Sequence, residues 1–572
     1  MAVVGAAALL LATTALFVVS RGKWSDALID SGNVWIIPFT ISRGELLYRD
    51  VVYWFGPFTP YFHGMIFRIF GPSFSTLVFA GVLGSIATIA SLYYAIRRVA
   101  SRTEALLWSA LAIPALIFMP NSGGAVLGMG YRIWHAATFA LLAVAVLVGP
   151  AEERRGRRAL LAGGLAGFAG LCRTEWGLVT LLVTGLVAFR EQGSRRRTWR
   201  VEFAVAAGFL LVFGGVFLLF GVTAGWRSLV QDAPVLLLNL PVETRAHAAF
   251  SGTSGWPDGV WTLLYSAAMW LAVFPLVEII ALRGLDPSRA RRRLPLLAAL
   301  LAIFAAAAFG GGALSGGLVW SAAPLVCAIS CFVAVRSGRT PSANALFGFA
   351  MLGLLLSHRP FFFIEDGPYV GPPLLFALIC AAGLSSIAIA RERDAAAREK
   401  LHRGIALLVA LLIGFAFAAR LVEYGRDQRV AIRGTAGFLT ARPELAREIE
   451  DLGMAIRARS SESEGLVVFP EGEVLNFLSG RRNPIRHKLY LPGYVNTRNE
   501  REIVAELQAA APAVVVIWRR ALGEYGAGSF GEDYGREIRR WIGLNYEREP
   551  FRANAGARSS LFECYVRRAS GR

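Results

Sequence analysis

The sequence predicts an α-helical polytopic membrane protein of about thirteen spans, followed by a small α/β domain outside the membrane. Three observations predict it. Of 572 residues, 55% are hydrophobic and only 17% charged, far from the balance of a soluble domain. Apolar runs of about 18 residues or more, enough to cross roughly 30 Å of hydrocarbon as helix, recur from residue 3 to residue 420. Beyond residue 440 the runs shorten, charges multiply, and the spacing alternates between helix and strand. The ten-residue alternating segments of a transmembrane barrel do not occur.

The spans are expected at 3–20, 73–96, 103–119, 133–149, 159–171, 176–189, 202–223, 260–282, 294–312, 318–335, 342–357, 371–390 and 404–420. Lys and Arg outnumber Asp and Glu by 59 to 40, for a net charge of +19, but the arginines gather in short loops between spans. Arg97–Arg98–Arg102, Arg195–Arg196–Arg197–Arg200 and Arg289–Arg291–Arg292–Arg293 are examples. Such loops face the cytoplasm and anionic lipid, so the charge predicts topology and no nucleic-acid partner. The first run lacks a basic leader and a small-residue cleavage site and reads as an uncleaved anchor. With an odd span count, the N-terminus lies in the cytoplasm and the C-terminal tail outside. "LCRTEWG" divides residues 159–189 into two spans, because an Arg and a Glu inside one continuous span would be costly. The segments 21–70, 172–175, 224–259 and 358–370 then share the outer face, the first as amphipathic interfacial pieces.

In the tail, "PELAREIEDLGMAIRARS", "EREIVAELQAAAP" and "DYGREIRRWIGLNY" have helical spacing, whereas "GLVVFPEG" and "AVVVIW" read as buried strands. The alternation predicts a partly parallel sheet. With Cys564 the only cysteine there, no disulfide framework is expected.

The long first loop carries the most telling residues. Asp30 follows the first span, and "GELLYRD" and "WFGPFTPY" come after it. This layout resembles the first external loop of the GT-C membrane glycosyltransferases, and among them the bacterial branch related to protein O-mannosyltransferases and to the aminoarabinose transferases that modify lipid A. The resemblance implies a GT-C type transmembrane catalytic domain over 1–425, with first external loop 21–70, and a soluble α/β extracytoplasmic domain over 426–572. It implies a multi-pass protein of a bacterial inner membrane. Asp30 matches the family's catalytic base; many relatives carry an Asp-Glu pair there, whereas Ser31 follows Asp30 here.

The chemistry independently needs three things. A base must take the acceptor's proton, the lipid needs a channel, and positive charge must meet the departing phosphate. Asp30, with Asp50 as a second carboxylate, supplies the first. Arg173 with Glu175 to orient it, Arg49, Arg132, His358 and Arg359 are candidates for the third, because a guanidinium fork donates two hydrogen bonds to phosphate and does not titrate. The expected donor is a polyprenyl-phosphate sugar, since nucleotide sugars do not occur outside the cytoplasm; the acceptor is a hydroxyl or amine of a lipid, glycan or protein, attacked with inversion. Plainer readings stand beside these. Asp30 caps an interfacial helix, Asp50 pairs with Arg49, Asp26 is structural, Arg173 and Glu175 satisfy each other at a helix break, and His358 and Arg359 anchor at the interface. In the tail, Glu471, Asn476, Arg481, Arg482 and Asn483 either cradle a glycan or pack a covering domain onto the membrane half.

A phosphate-binding GxxxxGK[ST] motif and closely spaced zinc-ligand sets are missing from the sequence. No cofactor is implied by the motifs, and a divalent cation is left open. Two alternatives to an enzyme are a transporter or flippase of lipid-linked glycans and a non-catalytic envelope assembly subunit. The first predicts ionisable groups deep in the spans and two matching halves.

Overall fold

The computed structural model describes residues 2–29, 31–120, 123–128, 130–149, 155–192, 199–232, 313–357, 367–525, 527–549 and 561–568. The expected spans 260–282 and 294–312 lie outside the described residues. The chain opens with α1 (Ala2–Ser20), which carries no charge along its length, then α2 (Ser31–Ser42) and α3 (Phe58–Phe70) within the first loop. Next come α4 (Phe74–Ile96), α5 (Arg102–Ala112, continued by a wide turn at Ile113–Ile117), α6 (Tyr131–Leu147), α7 (Arg155–Cys172) and α8 (Thr174–Gln192). Further helices run over Arg200–Ala224, Ala313–Arg336, Pro341–Leu356, Gly367–Arg391 and Ala395–Arg426.

Four of the described helices are long and apolar enough to cross a membrane: Phe74–Ile96, Arg200–Ala224, Gly371–Arg391 and Ala395–Arg426. Shorter apolar helices accompany them, and the chain is a multi-pass membrane protein. Local chemistry sets the ends. Ser73 caps α4 through the Thr76 amide at 3.1 Å, and Ser101 and Glu104 form a reciprocal capping box on α5, where the chain leaves the Arg97–Arg98 loop. The run "GGLAGFAGLC" gives α7 a face of small residues that lets α6 and the helix from Arg200 approach closely. Leu210, Leu211, Leu218 and Val222 remain exposed on that last helix, as a lipid-facing surface requires.

The tail follows the last apolar helix. A two-residue pairing of β1 (Val430–Ala431) with β2 (Thr440–Ala441) precedes the helix Pro443–Arg459. A four-stranded sheet then forms from β3 (Leu466–Phe469), β4 (Val514–Trp518), β5 (Tyr546–Glu549) and β6 (Phe562–Arg567), in the order β3-β4-β6-β5. β3 and β4 are parallel, joined through the helix Glu500–Ala510, and the other two pairings are antiparallel. Alternation puts Leu466, Val468, Val514 and Val516 on one face, in a core shared with Ile449 and Leu452 of the preceding helix. Val467, Phe469, Val515 and Ile517 pack on the other face with Ile503, Leu507, Ile538 and Ile542. The first of these cores is continuous with that of the membrane helices.

On β6, Glu563 receives Arg539 at 2.7 Å and the Tyr565 hydroxyl at 2.7 Å, with Arg519 on its other oxygen. Burial alone raises this carboxyl, but Tyr565, Arg519 and Arg539 overcome it and hold it at about 2. Because the folded group ionises below the free value of ~4.3, its contribution is complete above that pH and is lost as pH falls toward about 2. We expect Glu563→Gln to lower the thermal midpoint at neutral pH, at a cost of about 1–3 kcal/mol from gathered, uncompensated guanidiniums. The gap between variant and parent should narrow on acidification from pH 5 to pH 2.5, followed by intrinsic fluorescence.

Candidate functional site

The site grows from the first loop. Trp24 is buried and donates to Ser20 Oγ, and Asp26 Oδ1 accepts the amides of Leu28 and Ile29 at 2.8 and 2.9 Å, so Asp26 builds a turn. Asp30 lies outside the described residues, as do His358 and Arg359. Ser31, which opens α2, hydrogen bonds Ser25 Oγ at 2.7 Å. Gly32 sits against the backbone of Glu473 and Val474, where a Cβ would come within 2.4 Å of the Val474 nitrogen.

Beyond α2 the backbone turns sharply at Tyr48, whose φ is +69° and whose amide bonds Val51 O at 2.9 Å. The buried Tyr48 hydroxyl donates to Phe55 O at 2.8 Å and ties the two ends of this stretch together. Arg49 and Asp50 form a two-pronged pair at 2.9 and 2.7 Å, and Asp50 also accepts the Leu46 amide. The Arg49 hydrogen bond holds the Asp50 carboxyl below the usual carboxylate range. From the tail, Arg486 donates to Arg49 O at 2.8 Å and Tyr48 O at 3.4 Å, while its own carbonyl accepts the Val52 amide at 3.1 Å. Trp54 stacks on Tyr494 with ring centroids 4.2 Å apart.

These ties fix Tyr53 and Phe55, and two arginines meet at Phe55. Arg132, in the first turn of α6, lies 3.6 Å above the ring and donates to Tyr53 Oη at 3.3 Å. Arg173 occupies the single-residue break between α7 and α8 and lies 5.1 Å from the same ring. Each is only 6% exposed, so both charges are held by an aromatic face and neighbouring polar atoms in place of bulk water. Glu175 accepts Arg173 Nε at 2.6 Å and orients the fork. Both arginines stand at the N-terminal ends of helices, where backbone amides add positive potential. Two guanidiniums, two helix starts and one neutralising carboxylate thus gather around one ring, the kind of groups that hold phosphate.

Of the residues the sequence singles out, Arg132, Arg173 and Glu175 come together, whereas Arg49 and Asp50 sit apart, at the seam between loop and tail. The tail residues also divide. Glu471 pairs with Arg520, Asn476 holds Leu466 O and Arg481 O, and Arg481 reaches Ser460 Oγ and Ser479 O, all serving the tail's own folding. Asn483 also holds the tail, donating to Tyr490 Oη at 3.1 Å and accepting the Ile485 amide at 3.2 Å, but with Arg482 it lines a cleft of about 350 Å³ facing Glu45, Arg49 and Asp50. The sequence does not single out Lys488, which lines both this cleft and a narrower pocket walled by Tyr53, Trp54, Phe55 and His487. Its signal was the density of basic residues in "GRRNPIRHKLY". Among the described residues no three His, Cys, Asp or Glu side chains converge closely enough to hold a metal ion.

No family model matches the sequence, and no significant match to a curated protein is found. Solved structures do match. ArnT from Cupriavidus metallidurans bound to undecaprenyl phosphate superposes with a TM-score of 0.57 at 13% identity, over 100% of this chain and 99% of that one. The chain has the GT-C fold. Apo ArnT gives a TM-score of 0.55 at 13% identity, over 99% and 98% of the two chains. The GT-C oligosaccharyltransferase AglB of Archaeoglobus fulgidus, with an inhibitory peptide and a dolichol-phosphate, gives 0.50 at 14% identity, over 95% of this chain and 72% of that one.

The approach of loop to helices depends on Gly56, where a Cβ would stand 2.0 Å from Leu171 O, two residues before Arg173. Gly56→Ala must push Phe55 off the arginines or displace the end of α7. We expect a loss of about 1–3 kcal/mol, read as a lower thermal midpoint of the purified protein.

Proposed function

We propose that the protein is a membrane glycosyltransferase that moves a sugar from a polyprenyl-phosphate donor to an acceptor hydroxyl or amine at the extracytoplasmic face. The observation that carries this reading is the meeting of Arg132 and Arg173 at Phe55, in a chain whose fold matches, end to end, a protein bound to undecaprenyl phosphate. In this reading thirteen spans place the N-terminus in the cytoplasm, and residues 426–572 form an extracytoplasmic α/β domain over a catalytic domain at 1–425, in a bacterial inner membrane.

The Asp30 carboxylate takes the acceptor's proton as its oxygen or nitrogen attacks the anomeric carbon. The bond from that carbon to the phosphate oxygen breaks on the opposite face, inverting the centre, and the lipid phosphate leaves with the electron pair. Arg132 and Arg173 meet the growing negative charge, with Glu175 keeping Arg173 in place. His358 and Arg359 are further candidates for the same phosphate, and Arg49 with Asp50 for the loop's approach to it.

Asp30→Asn tests the base. Transfer from polyprenyl-phosphate sugars in membranes should fall by about 10²–10⁴-fold while expression and thermal midpoint hold; unchanged transfer defeats the reading. Arg132→Ala and Arg173→Ala should each weaken undecaprenyl phosphate binding by about tenfold or more, with Lys a poor substitute at Arg132 because it cannot reproduce the planar fork.

A further inference from the structure

The 350 Å³ cleft between the first loop and the tail is a second place built for charge. Arg49, Arg482, Arg486 and Lys488 line it against two carboxylates, Glu45 and Asp50. Asp50 is already engaged by Arg49, and Arg486 turns to Glu502 behind the seam at 3.1 Å. Arg482 is exposed and makes no ion pair with any described residue. Lys488 is the less usual group. It is 3% exposed, yet its ammonium donates only to two backbone carbonyls, Asn483 O at 2.9 Å and Ile485 O at 2.5 Å, and meets no carboxylate at ion-pair distance among the described residues. A third N–H is left over. A buried ammonium without a counter-ion is costly, and it is relieved when an anion enters beside it.

The burial of Lys488 lowers its ammonium to about 8 despite Glu45, Glu506 and Glu473 nearby, with Arg482 adding to the fall. The group is still charged at neutral pH. Lys488 also belongs to the wall of the narrow pocket that includes Phe55, the ring that Arg132 and Arg173 both approach. Lys488 thus stands between the cleft and the pocket whose wall holds Phe55.

We infer that this cleft is an acceptor-docking site that binds a sugar carrying one anionic group, a phosphate monoester or a carboxylate, through Arg482 and Lys488. The words acceptor and sugar rest on the glycosyltransferase reading; the binding of a single anion does not. Arg482 provides the open fork at the mouth, and Lys488 a point charge at the back. Because a bound anion favours the charged amine, affinity should decline as pH rises through about 8.

The test uses the full chain in detergent and three probes: glucose 6-phosphate, glucuronate and uncharged glucose, with affinities from titration calorimetry. At least one anionic sugar should bind about tenfold or more tightly than glucose, weaken between pH 7 and pH 9, and lose that advantage in Arg482→Glu. Whichever anion binds better identifies phosphate or carboxylate. Arg482 is exposed, so this variant should keep the parent's thermal midpoint, and Lys488→Met gives an independent second loss. Equal binding of all three probes, or no binding, or an unaffected Arg482→Glu, overturns the inference. Undecaprenyl phosphate binding is measured on the same samples. Intact lipid binding without sugar-anion binding defeats the cleft alone, and the reverse pattern defeats the donor site alone.

Discussion

The capture of first-loop carbonyls by tail arginines is the constraint on which the rest of the site depends. A loop of this length between helices has many conformations, and fixing each residue costs about 1–2 kcal/mol of backbone entropy. Arg486 on Tyr48 O and Arg49 O, Arg429 on Lys23 O and Ser25 O, and Thr440 on Gly22 O offset that cost at separate points along the loop. The tail is thereby part of the site's frame. Its Tyr494 stacks on Trp54, and Tyr53 and Phe55 flank Trp54 in sequence.

The arrangement also explains how strongly charged groups live beside a hydrocarbon phase. Arg173 falls in the one residue where α7 and α8 are both interrupted, so its backbone is at a helix junction and its side chain reaches Glu175 and Phe55. Arg132 is the second residue of α6, in its first turn. Both positions put the charge at the level where helices start, near the polar loop, and leave the apolar bodies of the helices for packing and lipid.

Much of this was legible in the sequence. Long apolar runs declare themselves, since helices alone satisfy their own backbone in lipid, and the described helices fall where the runs do. The break at Arg173 was legible because an Arg and a Glu interrupt the run. Asp50 was open to two readings, and the structure shows it paired with its neighbour. The sequence does not disclose that Arg132 and Arg173 share one ring, because that depends on Gly56 docking against Leu171. β5 escaped notice because "YERE" has one buried residue and three polar ones, and β6 pairs antiparallel in a sheet whose first two strands are parallel. Lys488 was hidden for the reason that makes it interesting: its partners are carbonyls, which every sequence has.

The contact between Arg486 and Arg49 O spans 437 positions. A ribosome working at about 5–20 residues per second needs roughly 20–90 s to cover that distance. For that whole interval the nascent loop is without this clasp, while the helices between are made one after another. Completion of the polypeptide is thus the event that assembles the working centre, and a prematurely ended product would be inserted but inert.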